Sequence, residues 1–259
     1  MIYFVIPLRS KAASRNWEGV TRNFNRTLES CYNQTNPDFH IFVACHDIPT
    51  LDQEYDDRVT FLPVTIPTPT NDMEMKFDKR HKMHTCMYAV REELAKLNMG
   101  GGYVLPVYAD DLVNNQLAAF FSGRDDGKCY TSAKGYIWHC GSRFVTLAKD
   151  LWRTCGSCIV VYYKPYELPP TDFELEDAPI IYIFQISHRD LPRYARRVGK
   201  TFGTIPFPTT VYVLGTGENH SALTGVGMSW KRTVEGLIRI PRLITKKKKK
   251  EFNIRYLDE

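Results

Sequence analysis

"IYFVIPLRSKAASR", residues 2–15, decides how the rest of the chain is read. Its first half is an unbroken apolar run, stopped by Pro7 and followed by a basic loop. A strand with one face in water alternates polar and apolar residues, whereas an unbroken run needs cover on both faces, as in a parallel sheet between helices. Downstream, Val20, Phe24, Leu28, Cys31 and Tyr32 recur at helical spacing, which predicts an amphipathic helix ending near "NQTNPD". "FHIFVACHD" (39–47) and "RVTFLPV" (58–64) then read as the second and third strands. The order is βαβ, which implies a right-handed crossover and an α/β domain with a Rossmann-like, mainly parallel sheet flanked by helices.

Further along, a polar stretch rich in Pro and Thr (65–76) precedes a helix marked by Met83, Met87, Val90, Leu94 and Leu97, with "NMGGG" as its stop. "YVLPVYADD" is the next strand, and Leu112, Leu117, Phe120 and Phe121 predict a helix after the acidic pair. "KCYTSAKGYIWHC", "SCIVVYYK" and "TTVYVLG" read as strands, and "HRDLPRYARRVG" as a helix opened by Asp190 with Pro192 in its first turn. No internal repeat and no linker appear, so one domain with a basic tail is the simplest division.

At 259 residues, 43% of them apolar and 13% aromatic, the chain has the material for a full core. Its net charge of +5 suits an anionic ligand or an acidic membrane surface and gives no sign of nucleic acid. The seven cysteines have no framework spacing, and the one C-x-x-C, Cys155 and Cys158, has no second pair to complete a zinc set. Reduced thiols in a cytoplasmic protein are the expectation. Three N-x-S/T matches, at Asn25, Asn33 and Asn219, are too short to weigh. "MIYFVIPL" lacks the basic start of a signal peptide, and no window reaches the roughly 20 apolar residues of a membrane span.

Ligands of open parallel sheets bind outside the carboxyl ends of the strands. Three polar clusters fall at such ends: Arg9-Ser10-Lys11, His46-Asp47 and Asp110-Asp111. Two adjacent carboxylates repel each other and are costly to desolvate without a positive partner. A nucleotide diphosphate would bring one, because its hard cation is held by one or two carboxylates and by phosphate oxygens. The alternative is that both aspartates cap a helix beginning at Leu112. Asp47 reads either as an acceptor for a base or ribose or as a turn residue before Ile48-Pro49.

"FVIPLRS…NFNRTLESCYNQTNPDFHIFVACHD" and "YADDLVNN" together resemble the nucleotide-sugar glycosyltransferases of the GT-A fold, family-two-like, with their D-x-D or D-A-D-D motif at a strand end. The resemblance covers residues 1–120, thins over 125–220 and ends there. It implies a single GT-A-like domain with a nucleotide-sugar half (1–120), an acceptor half (121–225) and a basic tail (226–259). It implies that Asp110 binds Mn²⁺ or Mg²⁺ and that Asp111 supports it. It also places Pro7, Arg9, Tyr108 and Ala109 at the donor, Asp47 at the nucleobase, and Lys79, Arg80 and Lys82 near the diphosphate. One departure stands out: the motif's first aspartate is Tyr108 here.

Inverting sugar transfer also needs a base to take the acceptor proton. The resemblance puts it at Asp190, where the usual Glu beside it is Arg189, with Asp177 in "DFELED" second. "TCGSC" resembles the acceptor loop, with Gly156 and Ser157 at its turn and the two cysteines flanking it. His220 resembles a late loop histidine that completes the metal site. The donor implied is a UDP-sugar and the acceptor a saccharide or lipid-linked glycan. Residues 230–250, with Trp230, Val234, Leu237, Ile238, Leu243 and five lysines, read as a peripheral contact with an anionic membrane, on its inner face, or as a solvated tail. Two other functions fit the same frame: a nucleotidyltransferase, though the loop after Pro7 has no glycine run, and a non-catalytic sugar-binding relative.

Overall fold

The apolar run at the N-terminus forms strand β1 (Ile2–Pro7), and its alternate residues face two different cores. Ile2, Phe4 and Ile6 pack with Phe24 and Leu28, while Tyr3 and Val5 pack with Met83, Met87, Val90 and Leu94. The first set belongs to helix α1 (Trp17–Tyr32), capped by Asn16, whose side chain accepts from the Gly19 amide at 3.0 Å. Each such buried Leu or Phe contributes about 2 kcal/mol of transfer free energy, enough to fix the crossover against the sheet. This computed structural model describes residues 1–171, 188–216 and 241–255.

Strands β2 (Phe39–Cys45) and β3 (Val59–Pro63) continue the parallel order as expected. The second set on β1 meets helix α2 (Asp72–Lys96), which starts well before Met83. Asn71 opens it by accepting from the Met73 and Glu74 amides at 3.1 and 3.0 Å, and Glu74 accepts from the Thr70 amide at 2.7 Å. The first turns lie mostly in water, so they leave no apolar period to read. Strand β4 (Gly102–Pro106) pairs parallel with β1. Instead of a helix at Leu112 there is a two-residue strand, β5 (Leu112–Val113), and the helix α3 (Leu117–Phe121) comes after it.

The second half departs more. The stretch read as one strand from 128 to 140 is two, β6 (Cys129–Ser132) and β7 (Lys134–His139), and they lie in different sheets. Strand β8 (Phe144–Lys149), β9 (Ile159–Tyr163), helix α4 (Leu191–Arg197), β10 (Phe202–Ile205), β11 (Thr210–Leu214), β12 (Pro241–Leu243) and helix α5 (Lys246–Phe252) complete the order. A seven-stranded sheet runs β10-β6-β9-β4-β1-β2-β3, parallel except where β9 meets β4 and β6. A five-stranded sheet runs β12-β8-β7-β11-β5, with only β11 and β7 parallel. The α/β class and the mixed, mainly parallel main sheet are therefore as read; the second sheet is an addition.

The described part of the expected tail is built into that second sheet. β12 pairs with β8, and Phe252 meets Tyr136 edge-to-face with centroids 5.7 Å apart. The five lysines form most of α5 rather than a loose run. Among the described residues no helix is long and apolar enough to cross a membrane.

Candidate functional site

Two loops leave the carboxyl ends of neighbouring strands β1 and β4 and line a cleft of about 440 Å³. From the first come Pro7 and Arg9; from the second, Tyr108, Ala109 and Asp110. Helix α2 adds Lys79 and Asp78, the segment before α4 adds His188, and β11 adds Tyr212. A wider hollow of about 770 Å³ includes Met1, Pro37 and the start of β2, toward the amino ends of the parallel strands. Parallel sheets bind ligands at the other end, which selects the smaller cleft.

The acidic pair is not two equal groups. Tyr108 accepts through its carbonyl from the Asp111 amide at 3.0 Å, which closes a tight turn. Inside that turn Asp111 is fully buried: its carboxylate accepts from Ser157 Oγ at 2.7 Å, Cys155 Sγ at 3.0 Å and the Val213 amide at 3.4 Å. Burial, with the Cys155 thiol and Asp110 close by, pushes its pKa well above the carboxylate range. Asp111 thus anchors the 155–158 turn and does not line the cleft. Cys155 and Cys158 are free and buried on either side of that turn, in keeping with a structural role for the C-x-x-C.

Asp110 points the other way. Burial raises its pKa to about 6, while Arg9 and Lys79 pull it down, so at neutral pH it is an anion between two cations. Tyr108 holds one of these cations: Lys79 Nζ lies 4.0 Å from its ring centroid, a cation–π contact. The Tyr108 amide donates to Ser157 Oγ at 3.0 Å. Gly156 lets the ring sit there, because a Cβ at 156 would stand 2.6 Å from the Tyr108 hydroxyl. Gly156→Ala should cost about 1–2 kcal/mol by overpacking, lowering Tm by about 2–6 °C. Gly100→Ala, with nothing within 4 Å, is the control. Differential scanning calorimetry of both variants checks the contrast, and equal melts would show that the ring yields freely.

The other residues named from the sequence fall elsewhere. Asp47 accepts from the Lys11 amide at 2.8 Å and ties the loop after β1 to the end of β2, outside the cleft lining. Arg80 is exposed on the outer side of α2 and also outside the lining. Lys82 is fully buried, with Nζ 2.8 Å from both the Leu8 carbonyl and Asp78 Oδ2. Asp190 caps α4 by position, makes no side-chain cap bond and is exposed away from the cleft. Asp177 and His220 lie outside the described residues.

His188 is a cleft residue that reading the sequence passed over, as are Asp78 and Tyr212. The His188 Nε2 is buried and has no hydrogen-bond partner among the described residues. Burial pushes its pKa below the ordinary 6.5, helped by Arg189 and Lys79, and the Arg153 backbone opposes this. The imidazole is therefore uncharged at neutral pH. Nothing in "SHRDLP" favoured the histidine, because the pattern drew attention to the carboxylate opening the helix. Among the described residues there is no cluster of three or more His, Cys, Asp or Glu able to hold a metal by itself.

No protein-family model and no curated protein sequence matches the chain. Among solved structures it is similar to residues 1–349 of Staphylococcus aureus TarS, at 12% identity and a TM-score of 0.45, over 82% of this chain and 60% of that one. The same protein in complex with UDP-GlcNAc gives 12% identity and a TM-score of 0.44 over 85% and 60%. The chain thus spans about 60% of the length of the structures it matches. At this level the likeness assigns neither activity nor ligand.

Proposed function

We propose that the chain transfers a sugar from a nucleotide-diphosphate sugar, with a UDP-sugar as the expected donor, to a hydroxyl on a saccharide or lipid-linked acceptor. The observation that carries this reading is the convergence of Arg9, Lys79 and Asp110 on one cleft at the carboxyl ends of β1 and β4. Two cations answer the charge of a diphosphate, and the Tyr108 ring offers a flat face to a base or sugar.

The donor set fits a Mn²⁺ or Mg²⁺ ion that shares its shell with the substrate. Asp78, the other carboxylate among the described residues of the cleft, is engaged by Lys82. Asp110, which lines the cleft at the end of β4, is the carboxylate that would hold the ion together with phosphate oxygens and water. When bound, the ion would neutralise charge building on the departing diphosphate. Arg9 and Lys79 act in the same sense from the protein side.

Transfer proceeds as the acceptor oxygen bonds to the anomeric carbon and the bond from that carbon to the phosphate oxygen breaks. The electron pair leaves with the nucleoside diphosphate, and the acceptor proton needs a base. His188 suits that role better than the exposed Asp190: it is uncharged, lines the cleft and has a ring nitrogen with no hydrogen-bond partner among the described residues. Attack from the side opposite the diphosphate inverts the anomeric centre.

Nucleotide-sugar consumption with Mn²⁺ or Mg²⁺ tests the reading. His188→Gln should lower kcat by about a hundredfold with KM little changed, whereas Asp190→Asn should leave the rate near wild type. The opposite ranking would return the base to Asp190. No turnover of any nucleotide sugar, with no nucleotide binding, would remove the reading altogether.

A further inference from the structure

The rim of the second sheet carries a surface that sugar transfer does not use. β12 is the edge strand, and its Leu243 stands opposite Phe144 of β8. Both are more than half exposed, at 57% and 51%. Side chains two apart on a strand share a face, so Phe144 and Leu243 lie on the same face as Thr146 and Pro241. That face continues by register through Ile137 to Tyr212, which lines the cleft. Three strand spacings, about 14 Å, separate Tyr212 from the edge.

On the other side of the same rim lies α5. Lys248 Nζ donates to the Leu243 carbonyl at 3.1 Å, so the basic helix and the apolar pair meet at one edge. Arg143, Arg242 and Lys246–Lys250 bring seven positive charges to it. Against them stands Glu251, 3.7 Å from Lys247, while Glu29 is paired with Arg255. Phe252, Ile244 and Ile254 are buried, so the helix is fixed on the sheet and its lysines are held at the rim.

We infer that this rim, with Phe144 and Leu243 on one side of its edge and the α5 lysines on the other, docks on an anionic lipid surface. Charge alone would serve any polyanion. A pair of exposed apolar side chains beside a row of cations at one sheet edge matches a bilayer, whose headgroups are negative and whose interior is apolar. Docking by this edge leaves the sheet face that leads to the cleft running up from the membrane, where a lipid-linked acceptor would lie. The inference does not rest on the sugar-transfer reading, and nucleotide binding in solution is measured separately from it.

Co-sedimentation of the full chain with vesicles is the test. Binding is expected to an equal mixture of phosphatidylglycerol and phosphatidylcholine, not to phosphatidylcholine alone, and it should weaken with salt. Replacing Lys246, Lys247 and Lys250 by Gln should weaken it by on the order of a hundredfold. Phe144→Ser with Leu243→Ser should weaken it by about tenfold while leaving retention on heparin unchanged. Leu243→Trp should show a blue shift in emission with the anionic vesicles only, which reports insertion even if the double variant folds poorly. Equal binding to both vesicle types, full vesicle binding by the apolar double variant, or no shift from the tryptophan would each overturn the proposal.

Discussion

Asp110→Asn is expected to lower nucleotide-sugar turnover by about a hundred- to a thousandfold, with a melting temperature at or above that of the wild type. The carboxamide keeps the shape of the side chain and removes the charge, so the change falls on cation binding and not on packing. The stability half of the result follows from the raised pKa. Burial lifts the group from the ordinary 3.8 to about 6, so the folded state binds its proton more tightly than the unfolded state does. A carboxyl raised in this way favours folding at acid pH, and that contribution is lost as pH rises from about 4 through 6. Above pH 6 the wild type carries a desolvated anion that the variant lacks. The buried Asp111, also raised, has the same sign and remains in both proteins. Melts at pH 4 and pH 7, together with UDP titrations with and without Mn²⁺, test both halves. A variant with wild-type turnover would show that Asp110 holds no cation, and a cation-independent nucleotide affinity would move the diphosphate charge wholly onto Arg9 and Lys79.

The asymmetry of Asp110 and Asp111 shows where reading the sequence stops. The strand ending at Pro106 and the acidic pair beyond it were visible, because an apolar run and its polar stop are local signals. Which carboxylate faces the cleft depends on Ser157, Cys155 and Val213, brought from other elements to bury Asp111. No local pattern reports such long-range partners. The same holds for the break between Ser132 and Lys134: both sides have strand composition, and only the pairing with β9 on one side and β8 on the other sends them to separate sheets. The start of α2 was hidden for another reason, since its opening turns are capped by polar side chains and exposed, without apolar periodicity. β1 and α1, by contrast, were legible almost to their ends because burial on both strand faces and on one helix face writes itself into residue order. His188 was missed because an imidazole has no signature spacing. Its interest arises from a burial and a neighbour, Lys79, that come with the tertiary fold.

Lys82 was expected at the diphosphate, and its burial predicts a large stability effect instead. Helical spacing places it one turn after Asp78, and the two form an ion pair at 2.8 Å with almost no exposed surface. Burial lowers the lysine pKa and the Asp78 charge works against that, so the ammonium survives inside only through its partners. Asp78 also lies 3.6 Å from His46 Nδ1, and the other ring nitrogen of His46 sits 2.8 Å from the Ile66 carbonyl. Lys82→Ala would leave Asp78 as a buried anion, remove the donor to the Leu8 carbonyl and open a cavity. A loss of about 3–5 kcal/mol is expected, read as the shift of a urea unfolding midpoint at constant slope. Removing both charges together, as Lys82→Met with Asp78→Leu, should recover most of that loss, since a buried pair replaced by apolar groups of similar volume is often neutral. The recovered protein should still bind nucleotide less well than the wild type, because the Leu8 carbonyl that Lys82 holds precedes Arg9 directly. If Lys82→Ala cost less than about 1 kcal/mol, within the range of exposed pairs, the side chain would be solvated and free to reach the diphosphate after all. A full loss of stability with recovery in the double variant instead fixes Lys82 as the support beneath the cleft and leaves Arg9 and Lys79 as the cations that meet the ligand.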